Sequence, residues 1–209
     1  KSCHRFLSDR KGQMGLAMIG SILSDVCRWE KPLTEIIPVN YGEFFTLPNW
    51  ESILSAIARK LPQTQIVIPT NGSLLDYTAV KTLCKIPTIK IVNFSINAYF
   101  PETYEAFMGL PADNIDKILS AILEIRALRP NITLWASMVF DPCYHTDLER
   151  DRFVDIWSVI ADKAWVLSAS SCGRPEKKII IPNKLPCRSL FSDIVIGWDG
   201  KLSSCCFDP

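Results

Sequence analysis

Short apolar segments and helical patterns alternate along most of this sequence. Runs rich in Ile and Val, such as Gln65 to Pro69 and Thr88 to Ser95, have the length of strands, and segments with helical periodicity separate them. Strands that alternate with helices at this spacing form βαβ units, whose strands are parallel. The sequence therefore predicts an α/β fold in which the parallel sheet is either an open layer or a barrel.

Five strands and six helices follow from this pattern. The predicted strands are Glu35 to Tyr41, Gln65 to Pro69, Thr88 to Ser95, Ile132 to Val139 and Ala164 to Ser168. The predicted helices are Leu16 to Val26, Pro48 to Leu61, Asp76 to Cys84, Pro101 to Phe107, Asn114 to Leu128 and Leu148 to Ala161.

The alternation stops near residue 170. Lys177 to Pro182 is predicted to be a lone strand, and Asp193 to Ile196 with Lys201 to Ser204 is predicted to form a β-hairpin. We therefore predict a parallel α/β domain over residues 1–170 and a small C-terminal hairpin module over residues 171–209.

Charge and composition exclude several classes of function. The 23 Lys and Arg nearly balance the 22 Asp and Glu, which argues against a nucleic acid or an anionic membrane as a partner. The chain has 8 Cys and no recognisable signal peptide. This indicates a reducing, cytoplasmic setting, in which metal ligation or catalysis is a more common use of Cys than disulfides.

Small and polar residues follow each predicted strand. Ligands gather at the carboxyl ends of the strands in parallel α/β folds, so these residues are candidates for binding, although turns favour the same residue types. The candidates are Gly42, Glu43, Thr70, Asn71, Ser95, Asn97 and Ser137.

Taken in order, these segments resemble motifs of the radical S-adenosylmethionine (SAM) enzymes. The matching stretches are Gly42-Glu43, Thr70-Asn71-Gly72, and Ser95-Ile96-Asn97 followed by Glu102-Thr103-Tyr104-Glu105. The resemblance covers about residues 3–170. It implies a partial (β/α)6-type parallel barrel, SAM as cofactor and a 4Fe-4S cluster held by three thiolates, which leaves one iron open for SAM.

The resemblance also implies roles for individual residues. Gly42 would let the backbone approach the methionyl group of SAM, and Glu43 would accept from its ammonium. Ser95 and Asn97 would bind its ribose or carboxylate, and the remaining candidates would complete the cofactor site. The family has Gly-Gly-Glu-Pro where this chain has Tyr41-Gly42-Glu43-Phe44, so the shape of this loop is expected to differ.

Three cysteines are candidate cluster ligands. The spacing from Cys3 to the Gly12-Gln13-Met14 segment matches that of the third Cys of the family's Cys-x3-Cys-x2-Cys motif, which would place the first two before Lys1. The alternative is a stray thiol. Cys187 and Cys205 resemble the opening of a SPASM or twitch extension, which holds an auxiliary iron–sulfur cluster. There the alternatives are Cys206 as the ligand or a hairpin with buried Cys, and the expectation is a fragment truncated at both ends.

Other polar and aromatic residues favour structural interpretations. Cys143 and His145 lie in a loop with Asp147, a pattern that fits a weak metal site or an ordinary loop. Trp135 and Trp157 are predicted to pack in the core or against helices. Cys27 and Cys84, beside apolar residues at helix ends, are predicted to be small buried hydrophobes.

The resemblance implies an enzyme of the radical SAM oxidoreductase or maturase type. It would cleave SAM reductively to a 5′-deoxyadenosyl radical that abstracts hydrogen from a peptide or small-molecule substrate, with a flavodoxin or ferredoxin as reducing partner. The alternative is a non-catalytic α/β binding domain or a degenerate relative without a cluster.

Overall fold

A computed structural model describes residues 12–169 and 189–203 of the chain. Five strands form one sheet in the order β1-β2-β3-β4-β5, and every neighbouring pair is parallel. The predicted α/β class is therefore confirmed, and the sheet is consistent with part of a parallel barrel. Within the described ranges, no helix is long and apolar enough to cross a membrane.

The elements follow the predicted alternation. The strands of the sheet are β1 (Glu35–Ile36), β2 (Gln65–Thr70), β3 (Ile89–Ser95), β4 (Thr133–Phe140) and β5 (Lys163–Ser168). The helices are α1 (Leu16–Val26), α2 (Trp50–Lys60), α3 (Tyr77–Cys84), α4 (Pro101–Met108), α5 (Asn114–Leu128) and α6 (Asp147–Ile160). Most bounds lie within one or two residues of the prediction.

The first strand is much shorter than predicted. Only Glu35–Ile36 pairs with β2, so the expectation of a strand reaching Tyr41 was wrong. Pro38 explains the difference, because it lacks the N–H that would extend the ladder and restricts the preceding residue. The chain instead turns through Gly42, at a φ of 103°, into a short 3-10 helix over Phe44–Thr46.

One face of the sheet packs against the helices to form the core. Alternate residues of each strand point to this face, and the inward sides of α2, α3 and α5 cover them. Fully buried members are Leu54, Ile57, Ile66, Ile68, Val80, Leu83, Val92, Phe94, Ile118, Ile122, Ile125, Leu134 and Ala136. In the described part of the chain, the other alternate residues, such as Asn93 and Trp135, lie outside this core. Helices on a single face are typical of a barrel wall.

Some predicted core positions need correction. Trp157 is 3% exposed and lies in the core, as predicted, but Trp135 does not pack there. Leu16, the first residue of α1, is 52% exposed and lies outside the core. Cys27 is exposed rather than buried, and its thiol donates to the Lys60 carbonyl at 3.1 Å.

Arg129 closes the end of the sheet opposite the strand carboxyl termini. It follows α5, and its guanidinium donates to the backbone carbonyls of Ile86, Pro87 and Ile89, with the Pro87 contact at 2.7 Å. These carbonyls precede or begin β3, and the Ile86 carbonyl also accepts from the Ile89 amide at 3.2 Å. Partial burial lowers the pKa of Arg129 from its ordinary value, and the guanidinium also contacts the Cys84 carbonyl.

A small antiparallel hairpin follows a short helix, α7 (Ser189–Ser192), near the C-terminus. Its strands are β6 (Val195–Ile196) and β7 (Leu202–Ser203), so the predicted hairpin is confirmed. Trp198 packs against Gly12, where a side chain would collide with its ring, and Gly200 packs against Met18 of α1. The hairpin therefore lies beside the first described residues of the chain. The predicted strand over residues 177–182 lies outside the described residues.

Asp162 links α5 to the start of β4. Its carboxylate accepts from the Leu134 amide at 2.7 Å and pairs with Arg126 at 2.7 Å. Burial raises the pKa of Asp162, but the hydrogen bonds from Arg126 and Leu134 lower it by more, so the pKa lies below its ordinary value of 3.8.

We predict that Asp162→Asn lowers the free energy of unfolding at pH 7 by about 0.5–1 kcal/mol, because the pair is partly exposed and screened. A depressed folded-state pKa stabilises the fold above the unfolded-state value, and this contribution is lost as the pH falls through the folded-state pKa. Urea unfolding at pH 7 and pH 3 should therefore show a difference between wild type and variant that shrinks in acid. Asp155→Asn, at an exposed position of α6, should show no such difference.

Candidate functional site

The register of the sheet places the predicted site residues along one edge. Thr70 at the end of β2 pairs with Phe94, and Ser95 at the end of β3 pairs with Ser137. We call this carboxyl-terminal edge the rim and define it by Gly42, Glu43, Thr70, Asn71, Ser95, Asn97 and Ser137. The structure thus brings together the residues that the sequence proposed for cofactor binding, while their role as ligands stays a prediction.

The Glu43 carboxylate joins the loop after β1 to the end of β2. Its Oε1 accepts from the Thr70 hydroxyl at 2.9 Å and from the Phe45 amide at 3.3 Å, and its Oε2 accepts from the Asn71 amide at 2.7 Å. The Thr70 hydroxyl in turn accepts from the Gly72 amide at 3.0 Å. These bonds replace the backbone ladder that the short β1 does not supply.

A second set of contacts fixes the turn after β2. Gly72 has a φ of +74°, and Ile118 of α5 packs where a Cβ would lie, so no other residue fits there without strain. The Asn114 side chain donates to the Asn71 carbonyl at 3.0 Å and contacts the Tyr104 hydroxyl. Burial raises the pKa of Tyr104. The turn is therefore fixed by Asn114 of α5, which Tyr104 of α4 contacts in turn.

Asn97 adopts a left-handed backbone conformation directly after β3. Its φ of 63° is the only positive value for a non-glycine residue in the described part of the chain. Its Oδ1 accepts from the Val139 amide at 2.8 Å, and its backbone N–H donates to the Ser137 carbonyl at 3.2 Å. Backbone strain of this kind persists only where surrounding contacts hold it, and it concentrates at functional sites.

His145 holds the Asn97 backbone from the loop before α6. Its Nε2 lies 2.8 Å from the Asn97 carbonyl, so this nitrogen donates, and Nδ1 accepts from the Asp141 amide at 3.0 Å. With both ring nitrogens engaged, His145 is not available to a metal. The metal alternative with Cys143 and Asp147 finds no support, since the described residues contain no group of three or more His, Cys, Asp or Glu that could hold an ion.

Sequence reasoning missed Glu149 of α6. This residue is 1% exposed, and its Oε1 accepts from the amides of Tyr99 and Phe100 at 2.9 and 3.0 Å, which fixes the segment after Asn97. One signal was present in the sequence. Thr146-x-x-Glu149 has the pattern of a capping box, and Thr146 does cap α6, but the glutamate turns to the neighbouring loop instead of the helix end.

Rim residues differ in what they leave open to a ligand. Thr70 and Ser137 are 3% and 9% exposed, and their hydroxyls bond to the protein. The Ser95 hydroxyl, by contrast, has no hydrogen-bond partner among the described residues. The Asn97 side chain is also engaged, since its Nδ2 donates to the Met108 sulfur at 3.1 Å. A ligand at the rim would therefore meet Glu43 and the Ser95 hydroxyl first, while Thr70, Asn97 and Ser137 position the backbone.

The three candidate cluster ligands, Cys3, Cys187 and Cys205, lie outside the described residues. Two surface clefts among the described residues, of about 410 and 280 Å³, lie in the helical layer. The larger one is bordered by Asp76, Asp113 and Glu124, and no rim residue lines it. The rim itself is an open edge that carries convergent polar groups, and we assign the site on those groups rather than on cleft volume.

The comparisons with known proteins show a likeness of fold. No protein-family model matches the chain, and no curated protein matches it. Among solved structures, SuiB of Streptococcus suis matches 81% of this chain and 37% of its own with a TM-score of 0.63 at 17% identity. The structure of anSMEcpe with bound AdoMet and Kp18Cys peptide matches 80% of this chain and 47% of its own, with a TM-score of 0.55 at 16% identity.

A third match is TsrM of Kitasatospora setae, described as a radical S-adenosylmethionine methyltransferase with cobalamin and a 4Fe-4S cluster bound. It covers 72% of this chain and 27% of its own with a TM-score of 0.54 at 13% identity. The three matched proteins are radical SAM enzymes, and the chain spans less than half the length of each. At these identities the likeness shows the fold.

Two substitutions of Asn97 separate its hydrogen bond to Val139 from its left-handed backbone conformation. Asn97→Ala is expected to lower the free energy of unfolding by roughly 2–4 kcal/mol. It leaves the Val139 amide without its acceptor and keeps a Cβ in the left-handed region without the polar side chain that lets asparagine tolerate that region. Asn97→Gly loses the same acceptor without the backbone penalty and should cost about 1–2 kcal/mol less. Chemical denaturation of both variants measures this difference. Equal losses would contradict the assignment of strain to this residue.

Proposed function

We propose that this chain, which has the fold of radical SAM enzymes, forms the SAM-binding part of such an enzyme. The observation that carries the proposal is the rim. Gly42-Glu43, Thr70-Asn71 and Ser95-Asn97 meet at the carboxyl-terminal edge of a parallel sheet, in the order that the family's motifs have along the chain. The likeness to solved radical SAM enzymes supports the same assignment.

The rim suits the methionyl and ribose groups of SAM. Glu43 receives three protein hydrogen bonds, and a carboxylate has about four acceptor positions, so one is left for the ammonium of SAM. Gly42 has no side chain and a φ of 103°, which lets the loop backbone approach the ligand. The Ser95 hydroxyl, which has no partner among the described residues, would bind the ribose or the carboxylate. The Nδ2 of Asn97 would do so in place of its contacts with the Met108 sulfur at 3.1 Å and the Ser95 carbonyl at 3.5 Å.

We propose Cys3 as one of three thiolates that hold a 4Fe-4S cluster, with residues 1–170 as the SAM-binding domain. When bound, SAM and the reduced cluster supply a 5′-deoxyadenosyl radical that abstracts hydrogen from the substrate. Cys187 and Cys205, in a module over residues 171–209, would contribute to an auxiliary cluster. The packing of Trp198 against Gly12 supports this proposal, because it brings the described hairpin into contact with the first described residue of the chain.

A peptide is the substrate class that we favour over a small molecule. SuiB has been solved with its precursor peptide SuiA, and anSMEcpe with the Kp18Cys peptide. The chemistry would then be of the oxidoreductase or maturase type, in a reducing cytoplasmic setting, with electrons from a flavodoxin or ferredoxin.

The first test uses the protein with any residues that precede Lys1, reconstituted anaerobically with iron and sulfide. On reduction it should cleave SAM to 5′-deoxyadenosine, measured by chromatography, and Cys3→Ala should abolish cleavage because too few thiolates remain. Cys143→Ala, at an exposed cysteine, serves as the matched control and should retain activity. Undiminished cleavage in the Cys3→Ala protein would remove Cys3 as a ligand. Binding of SAM without cleavage in the unmodified protein would favour a degenerate relative.

Ser95→Ala tests the rim separately from the cluster. The hydroxyl lacks a partner among the described residues, so its loss should leave the melting temperature unchanged, while the affinity for SAM falls about 3- to 10-fold with one hydrogen bond. Differential scanning calorimetry of the cluster-loaded protein measures the melting temperature, and calorimetric titration measures the affinity for SAM. Ser55→Ala, on the exposed side of α2, should change neither. Unaltered SAM affinity in Ser95→Ala would place SAM elsewhere.

A further inference from the structure

Two tryptophans lie on the face of the sheet that does not pack against the helices. Trp135 is in register with Asn93 on one side and Lys163 on the other, and Trp165 is in register with Ser137. Residues in register on neighbouring strands point to the same face, opposite the buried residues Leu134 and Ala136. We call Asn93, Trp135, Lys163 and Trp165 the inner wall.

The inner wall holds a cation against two aromatic rings. The Lys163 ammonium lies 5.3 Å from the ring centroid of Trp135 and 5.7 Å from that of Trp165, and the two rings meet edge to face at 6.5 Å. Within the described ranges, Lys163 has no carboxylate partner. Cation–π contacts orient this ammonium without neutralising it, so its charge stays available to an anion.

Two polar atoms of the same wall are buried without partners. The Oδ1 of Asn93 and the Nε1 of Trp165 are removed from solvent and make no hydrogen bond with any residue in 12–169 or 189–203. Buried polar groups without partners are uncommon in folded proteins, and each calls for an explanation such as a missing ligand. Together with Lys163, the wall offers one cation, one N–H donor and one carbonyl acceptor.

We propose that the inner wall binds the carboxylate of the substrate and one neighbouring N–H. The carboxylate accepts from the Lys163 ammonium and the Trp165 indole, and the N–H donates to Asn93. This combination is found in a peptide at its C-terminus or at an acidic side chain. The inference rests on the proposed function, since it names the substrate class of the same site.

Three of the four wall residues lie deeper than the rim, whereas Trp165 lies in the same layer as Ser137. Asn93, Trp135 and Lys163 lie in one layer of the sheet, two residues before Ser95 and Ser137 along β3 and β4, which is about 7 Å deeper. SAM also carries a carboxylate, but the groups assigned to SAM are at the rim. The wall is therefore assigned to the substrate.

The test observes the Trp165 indole directly. The full chain is labelled with ¹⁵N-tryptophan, and the Trp165 signal is assigned by its loss in Trp165→Phe. N-acetylglycine supplies a carboxylate and an N–H, N-acetylglycinamide is its neutral counterpart, and SAM is the third probe. We expect N-acetylglycine to shift the Trp165 indole signal and SAM to leave this signal unchanged. N-acetylglycinamide should bind at least about tenfold more weakly than N-acetylglycine.

Variants of Lys163 complete the test. Lys163→Met should weaken N-acetylglycine binding about tenfold, Lys163→Arg should retain most of it, and Lys81→Met, at an exposed position of α3, should have no effect. An equal response to the neutral amide, no response to either probe, or unaltered binding in Lys163→Met would overturn the proposal. The same shift on adding SAM would assign the carboxylate to the cofactor instead. If the protein binds N-acetylglycine but does not cleave SAM, the result would support this binding site and contradict the proposed function.

Discussion

The Glu43 carboxylate is the contact on which the candidate site depends. Because β1 contributes only two residues to the sheet, its backbone cannot hold the following loop against β2. Glu43 does so with bonds to Thr70, Asn71 and Phe45, and this places Gly42 at the edge where the strands end. The same carboxylate is the group assigned to the ammonium of SAM, so loop position and ligand recognition are coupled through one side chain.

Local patterns predicted the fold well and the contacts of the site poorly. The bounds of α5 agree residue for residue with the apolar periodicity, because that helix packs along its whole length. The strand at β1 was overextended because Pro38 interrupts an otherwise apolar run. The bonds from Asn97 to Val139 and from Glu149 to Tyr99 join residues far apart in sequence, so no local pattern could reveal them.

The two faces of the sheet have different roles, so the same strands can contribute to both stability and chemistry. Residues such as Phe94 and Leu134 bury apolar surface against the helices and hold the strands in register. The alternate residues of the same strands, Asn93 and Trp135, are then left on the inner side. Motif resemblance alone does not distinguish supporting residues from ligand-facing ones, whereas their hydrogen bonds do. The Thr70 hydroxyl bonds to the protein, whereas the Ser95 hydroxyl has no partner in the part of the chain that the structure describes.

The central claim is that SAM binds at this rim through an open iron of a three-thiolate cluster. Hyperfine spectroscopy of the reduced, reconstituted protein with SAM labelled by ¹⁵N at its amino group tests it most directly. The account predicts a nitrogen coupling to the cluster that shows direct ligation, lost in Cys3→Ala and kept in Cys143→Ala. Binding of SAM with no such coupling in the unmodified protein would contradict it.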